Sequence, residues 1–234
     1  MGSCGNKSAK DAVSAKTAIA VLVDGTDSTT DRTGLLSKKK LLNMILGKDK
    51  QGSGSVSFKM ITSVGLTAQK TIEFKGIEEG DNGLKLKKKR DLFEHKLDSP
   101  YHTYLGPTSG AEHSVIYRNV CQVANELVNG ESESQVLVIM SDLVENSEDA
   151  NFYKLGNTAD SNVVNLAVKQ LIAKSGVKLP DHPDGLKVVI LYSPTGATEK
   201  QREKQDADFN RAWPVWKKLF ENAGIEYQEP KANL

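Results

Sequence analysis

The sequence has little of several features that mark particular classes of protein. Its 234 residues include two cysteines, Cys4 and Cys121, which cannot form a disulfide framework. The histidines show no paired spacing of the kind used by zinc sites, and neither cysteine joins one of them. The formal net charge is only +1, which does not favour nucleic acid as a partner. No apolar run is long enough to cross a membrane.

Two common enzyme motifs are also missing. No G-x-G-x-x-G follows the first apolar strand, which argues against a dinucleotide-binding domain. No G-x-S-x-G is present, which argues against an α/β-hydrolase with a serine nucleophile. An apolar content of 38% and the 234-residue length suit one large globular domain. We therefore expect a flexible tether at 1–16 and a single domain over 17–230, and we expect it to be a monomer.

The amino-terminal segment "MGSCGNKSAKDAVSAK" is polar and contains Cys4. Ser3-Cys4-Gly5 resembles the end of a bacterial lipobox, in which the cysteine becomes the lipidated first residue, with Met1-Gly2 then a cloning remnant. On this interpretation the protein is lipid-anchored in the bacterial cell envelope. The alternatives are an ordinary chain terminus, with a cytoplasmic location, and N-myristoylation, for which Asn6 occupies the position that usually holds serine or threonine.

Apolar strands that alternate with helical patterns predict an α/β fold. Residues 17–23, 135–141 and 186–194 are continuous apolar runs, as expected for parallel strands that are buried on both faces. The pattern predicts a doubly wound, mostly parallel sheet with helices on both faces, a vWA-like or Rossmann-like three-layer sandwich. Helices are predicted at 35–46, 114–128, 162–176 and 206–224, the last interrupted at Pro214, and a short final strand at 225–227.

One part of the sheet is predicted to be antiparallel. Residues 55–64 and 70–76 alternate between apolar and polar side chains, and the turn-like residues 65–69 separate them, which predicts a hairpin. The segment 78–104 that follows is charged and insertion-like, and it contains the basic run Lys85–Arg90. Such a run usually forms a solvated helix face.

Polar side chains follow two of the predicted buried strands. The stretch "AIAVLVDGTDSTTDR" changes from apolar to polar at Asp24, and the strand at 135–141 is followed by Asp142. A third polar cluster, "YLGPTSGAEHS" at 104–114, precedes a predicted helix. The carboxyl ends of parallel strands lie at one edge of a sheet, so these groups are expected to converge there. Carboxylate and hydroxyl oxygens suit Mg²⁺, or Mn²⁺, better than a soft metal.

These residues resemble the metal-ion-dependent adhesion site (MIDAS) of von Willebrand factor A (vWA) domains. Asp24, Thr26 and Ser28 match the first motif, Thr108 matches the threonine of a glycine-flanked loop, and Asp142 matches the final aspartate. The resemblance implies that these five residues bind the metal. It also implies a recognition domain, not an enzyme, whose bound cation accepts a carboxylate from a protein partner. One departure is Leu143, which stands where the family often has glycine.

Other interpretations of the same residues remain open. Asp24 could be the nucleophile of a haloacid dehalogenase-like, Mg²⁺-dependent phosphohydrolase, although position 26 is then a threonine where a second acid is usual. The polar groups could instead be purely local: Asp24 or Thr108 could cap a helix, and Asp142 could form an Asx turn.

Overall fold

A computed structural model of the chain describes most of the predicted domain. The predicted tether, apart from Lys16, lies outside the described residues, and so does Cys4. The described residues are 16–26, 32–47, 52–62, 65–76, 78, 81–107 and 113–230.

Seven strands within the described residues form one mixed sheet. Their order is β3-β2-β1-β5-β6-β7, and β4 also pairs with β2. The pairs that β1 makes with β2 and β5 are parallel, as are β5–β6 and β6–β7, so the prediction of a mostly parallel α/β sheet is confirmed. The strands are β1 (Lys16–Asp24), β2 (Ser53–Thr62), β3 (Gly65–Leu66), β4 (Lys70–Phe74), β5 (Ser134–Met140), β6 (Leu186–Leu191) and β7 (Glu226–Gln228).

The predicted hairpin is present, but part of its predicted turn pairs with β2. β4 runs antiparallel to β2, as predicted. Gly65–Leu66, predicted to be part of the turn, instead pairs with the end of β2. The reason lies at Thr67, whose amide donates to the Met60 carbonyl at 2.9 Å while its hydroxyl accepts from the Met60 amide at 3.0 Å. These two bonds continue the ladder beyond β3.

Five α-helices in the described part of the chain cover both faces of the sheet. The first two pack on one face around Val21, Phe58 and Val138, and the other three pack on the opposite face around Leu22 and Leu137. Alternate residues of each central strand therefore enter different cores, which explains the continuous apolar runs. The helices are α1 (Lys38–Leu46), α2 (Gly83–Leu105), α3 (Ile116–Val128), α4 (Ser161–Ser175) and α5 (Glu199–Asn222).

Most of the charged segment 78–104 forms helix α2. Its buried side chains Phe93, Leu97, Tyr101 and Leu105 are four residues apart and form one stripe that faces the sheet. Most of the other residues of the helix are polar or charged, so the segment as a whole has a low hydrophobicity despite its narrow apolar face. The basic run lies in its first turns, next to β4.

Helix α5 differs from its prediction in two ways. It begins at Glu199, and it continues through Pro214 without interruption. Thr198 and Gln201 form a capping box that stabilises the polar first turns. Pro214 removes one backbone donor, but Val215 and Trp216 beside it are fully buried, and their packing outweighs that loss.

Cys121 lies on the buried face of α3. It packs in the core at 1% exposure, and burial raises the pKa of its thiol to about 12, which disfavours the thiolate form. None of the described helices combines the length and the apolarity needed to cross a bilayer.

Candidate functional site

The candidate site lies where the order of the strands reverses direction. β1 is followed in the chain by β2 on one side, whereas β5 lies on its other side. The loops that leave β1 and β5 therefore diverge and leave a crevice at the carboxyl edge of the sheet, the usual position of ligands in such folds. Asp24 ends β1, and Asp142 follows β5 by two residues. The pairing of Val23 with Met140 places these two strand ends side by side.

The Asp24 carboxylate is surrounded by hydroxyl groups. It is only 4% exposed. The hydroxyl of Thr26 donates to Asp24 Oδ1 at 2.6 Å, and the Thr26 amide donates to the same oxygen at 3.0 Å. Ser141 Oγ donates to Oδ2 at 2.9 Å, and Ser114 Oγ lies 3.1 Å from Oδ2. Residues from three chain segments therefore donate hydrogen bonds to one carboxylate.

Two of these hydroxyls were not identified from the sequence. Ser114 lies two residues before α3, in the third polar loop, where the resemblance pointed to Thr108. Its Oγ is 2.9 Å from Thr26 Oγ1. Ser141 is the residue immediately before Asp142 and follows β5. Ser114 could have been identified from its position, because it is the last residue of the polar cluster at 104–114 and lies just before a predicted helix.

Gly25 is required by the close approach of β2. Its amide donates to the Ile61 carbonyl at 3.0 Å. A Cβ at this position would lie 2.6 Å from Met60 Cγ and 2.9 Å from the Ile61 carbonyl oxygen. No side chain fits there, so the glycine after Asp24 has a steric cause.

Asp142 begins a turn that Leu143 completes. Asp142 Oδ1 accepts from the Val144 amide at 2.9 Å, so the Asx-turn interpretation is confirmed. Leu143 has a φ of 61°, a left-handed conformation that favours glycine. The leucine is fully buried, and its carbonyl accepts from Trp216 Nε1 at 2.8 Å. Packing and this hydrogen bond hold the unfavourable backbone conformation.

The structure brings three of the five predicted site residues together. Asp24, Thr26 and Asp142 line one small cavity of about 50 Å³, with Ser141 and Arg32. Ser28 and Thr108 lie outside the described residues.

The donor set at this cavity consists of oxygen atoms. A hydroxyl that donates its proton to a carboxylate keeps lone pairs that can bind a cation, so Thr26 and Ser114 fit a hard metal. Within the described residues no group of three or more histidine, cysteine or acidic side chains could hold a metal ion, so the fit depends on hydroxyls. The buried Arg32 lines the same cavity, so its positive charge partly offsets the negative charge of Asp24 and Asp142.

A wider groove opens beside the small cavity. Its volume is about 540 Å³, and Thr26, Ser114 and Asp142 contribute to its lining. The half-exposed ring of Tyr153 and the side chains of Lys204 and other α5 residues line it as well. A ligand at Asp142 therefore has a surface for further contacts.

Glu145, three residues after Asp142, joins this loop to α3. Its Oε2 accepts from the amides of Ile116 at 2.9 Å and Tyr117 at 2.8 Å, so it caps a helix that has no cap from its own N-cap side chain. The residue is fully buried. Burial raises the pKa of its carboxyl to about 7, although hydrogen bonds from Ser147 and the two amides oppose that shift.

This raised pKa predicts a pH-dependent stability. Between the ordinary glutamate pKa of about 4.3 and the folded value, the folded protein keeps a proton that the unfolded chain has released, so stability falls as pH rises through this window. Glu145→Gln removes the titration. We expect the wild type to lose about 3 kcal/mol of unfolding free energy relative to this variant between about pH 4 and pH 8, measured by urea denaturation.

The exposed Glu148 in the same loop provides the control, because Glu148→Gln should follow the wild type at every pH. A constant difference between wild type and Glu145→Gln across this range would show that the carboxyl titrates normally.

Comparisons with known proteins add little to this geometry. No protein-family model and no curated protein matches the chain. Among solved structures, the PilB minor pilin from Streptococcus sanguinis aligns with 94% of this chain at 13% identity and a TM-score of 0.41. The D319A mutant of that pilin aligns with 94% of the chain at 11% identity and a TM-score of 0.40. The chain spans 57% and 58% of those two chains. At these values the likeness supports no conclusion about function.

Proposed function

We propose that the protein recognises a partner carboxylate through a divalent cation bound at the carboxyl edge of the sheet. The observation that carries this proposal is the set of hydroxyls around Asp24, formed by Thr26, Ser114 and Ser141, beside Asp142 at the switch point. Such a set of oxygen ligands from three separate segments suits a hard cation. The vWA-like resemblance of the motif residues supports the same function.

Mg²⁺ or Mn²⁺ is the proposed ion. Thr26, Ser114 and Asp142 are its proposed direct or water-mediated ligands, together with Ser28 and Thr108 as the resemblance implies. Asp24 accepts hydrogen bonds from Thr26 and Ser114 and so fixes their oxygen atoms. When bound, the cation supplies a Lewis-acidic position for an incoming carboxylate. No covalent bond of the partner is made or broken in this process, so the proposed function is not enzymatic.

The partner is proposed to be a protein with an exposed aspartate or glutamate. The groove beside Asp142 gives room for neighbouring residues, and Lys204 there adds a positive charge that favours an acidic ligand. Asp208 lines the same groove, but its carboxylate forms an ion pair with Arg211 at 2.8 Å. The groove therefore favours an acidic partner residue near Lys204.

The proposed location is the bacterial cell envelope, on the periplasmic side or at the cell surface. It rests on the Ser3-Cys4-Gly5 sequence, which resembles a lipid-attachment site, and on a recognition function that suits an exposed domain. Lipid at Cys4 would then attach the chain to the membrane.

Matched peptides test the recognition function. An array that pairs each aspartate or glutamate peptide with its asparagine or glutamine counterpart is incubated with the labelled protein in Mg²⁺ or in EDTA. We expect acidic peptides to be bound preferentially in Mg²⁺ only, because the amide counterparts cannot complete the coordination of the cation. Asp142→Asn should abolish this preference.

Lys204→Gln is the comparison variant, since it alters the groove without touching the metal site, and it should weaken binding without removing the dependence on Mg²⁺. Equal binding of acid and amide peptides, or equal binding in EDTA, contradicts the proposal. Mg²⁺-dependent hydrolysis of an aryl phosphate that Asp24→Asn abolishes would instead support the phosphohydrolase alternative.

A further inference from the structure

The loop after β5 holds the start of α3 through both its main chain and a side chain. Asn146 and Ser114 exchange two backbone hydrogen bonds, at 3.0 and 3.1 Å. Glu145 Oε2 accepts from the amides of Ile116 and Tyr117, the first two residues of the helix. Ser114 is therefore attached to this loop directly and again two residues further along the chain.

These attachments determine where one hydroxyl of the candidate site lies. Ser114 Oγ is 3.1 Å from Asp24 Oδ2 and 2.9 Å from Thr26 Oγ1. A serine oxygen is placed by a single side-chain torsion, so its position follows closely from that of the backbone. Val115 provides no side-chain cap for α3, and the Glu145 carboxylate takes that role for the first amides. The geometry of the hydroxyl set thus depends on a residue outside the set.

Glu145 is held firmly in a buried environment. Its side chain is fully buried, and its carbonyl accepts from the amide of the buried Phe152 at 2.8 Å. The titratable groups Asp149, in the same loop, and Arg118 and Cys121, on α3, interact with it electrostatically. Because Arg118 forms an ion pair with Asp149, these two charges largely cancel at Glu145. A further positive charge nearby would therefore stabilise the ionised carboxylate.

We propose that Glu145 is a positioning residue of the cation site, a role that rests on the function proposed above. The ionised carboxylate is a stronger acceptor than the neutral acid, so it fixes the start of α3, and with it Ser114, more firmly. A cation bound at Ser114 and Asp142 attracts the ionised form, and by linkage the ionised form raises the affinity for the cation. Glu145 acts through the helix amides and does not itself bind the metal.

The affinity for Mg²⁺ is expected to rise with pH. Burial raises the pKa of the Glu145 carboxyl to about 7, so the cation-free protein contains both forms at neutral pH. If the bound cation lowers that pKa by about one unit, the affinity increases about fivefold from pH 6 to pH 8. Calorimetric titration of Mg²⁺ into the full chain at the two pH values measures this change. Titrations at pH 7 in buffers of different ionisation enthalpy then give the fraction of a proton that binding releases.

Two variants separate the charge of Glu145 from its position. Glu145→Gln keeps the shape and cannot titrate, so we expect equal affinity at pH 6 and pH 8 and no release of protons on binding. Glu145→Asp keeps the charge, but its side chain is one methylene shorter and cannot reach both amides while its backbone stays in place. At pH 8 we expect each variant to bind Mg²⁺ about fivefold more weakly than the wild type. Urea denaturation checks that each variant is folded.

Two controls exclude other sources of a pH dependence. His113 lines the wider groove, and histidines change charge near neutral pH, so His113→Gln should keep the rise in affinity. Glu148→Gln neutralises an exposed position of the same loop and should keep it as well.

Equal affinity of the wild type for Mg²⁺ at pH 6 and pH 8 overturns the positioning role, as does a rise with pH that persists in Glu145→Gln. Binding by Glu145→Asp that equals the wild type would show that the charge alone matters, which also overturns it. An absence of Mg²⁺ binding by the wild type at both pH values overturns the proposed function together with this role, so the two failures are distinguishable.

Discussion

Asp24→Ala is expected to lower the free energy of unfolding by about 3 kcal/mol, with loss of divalent-cation binding. The Asp24 carboxylate is the common acceptor for the hydroxyls of Thr26, Ser114 and Ser141. Hydrogen bonds to a buried charged group are strong, and the variant leaves donors from three segments without this acceptor. Urea denaturation gives the stability change, and Mg²⁺-dependent thermal shifts give the metal response.

Asp142→Ala is the informative comparison. Asp142 is half-buried at the mouth of the crevice and accepts from the Val144 amide, so its removal should cost less stability than the removal of Asp24. It should nevertheless remove the thermal response to Mg²⁺. If Asp24→Ala left stability unchanged, the hydroxyl set would not be organised by this carboxylate, and the site would lose its physical basis.

Trp216→Ala should have the largest effect on the fold, a loss of about 3 to 5 kcal/mol. Its side chain is fully buried, with the rings of Tyr117 at 6.0 Å and Phe220 at 5.8 Å between centroids. Its Nε1 also donates to the carbonyl of Leu143, the residue with the left-handed backbone after Asp142. The variant therefore creates a cavity and releases the loop of the candidate site.

The second tryptophan gives the control for this experiment. Trp213 is only half-buried, so Trp213→Ala should cost clearly less stability than Trp216→Ala. Trp216→Phe keeps most of the volume and removes the hydrogen bond, so it should lose about 1 to 2 kcal/mol and weaken Mg²⁺ binding. Equal losses for the two alanine variants would contradict the assigned role of Trp216.

The sheet could be predicted from the sequence because its central strands are buried on both faces. The continuous apolar runs at 17–23 and 135–141 correspond closely to β1 and β5, and the polar residue at the end of each run marks the sheet edge. Helix α5 was harder to predict, since its first seven residues are polar and carry no apolar period. Their helical state depends on the capping box at Thr198, a short signal that hydrophobic periodicity does not contain.

The candidate site could be predicted only in part. Asp24 and Asp142 are visible because they interrupt apolar runs. Ser141 and Ser114 are ordinary serines in the sequence, and their approach to Asp24 depends on the pairing of β1 with β5 and on the start of α3. Glu145 gives no local signal either, because it caps a helix that begins 29 residues earlier in the chain.

Calorimetric titration of Mg²⁺ and Mn²⁺ into the full chain tests the central claim most directly. The account predicts saturable binding at a single site, lost in Asp142→Asn, which keeps the shape of the side chain but removes its charge. Glu148→Gln, a neutralisation at an exposed position of the same loop, should bind like the wild type. An absence of binding heat for both ions in the wild type, or unchanged binding in Asp142→Asn, would contradict the account.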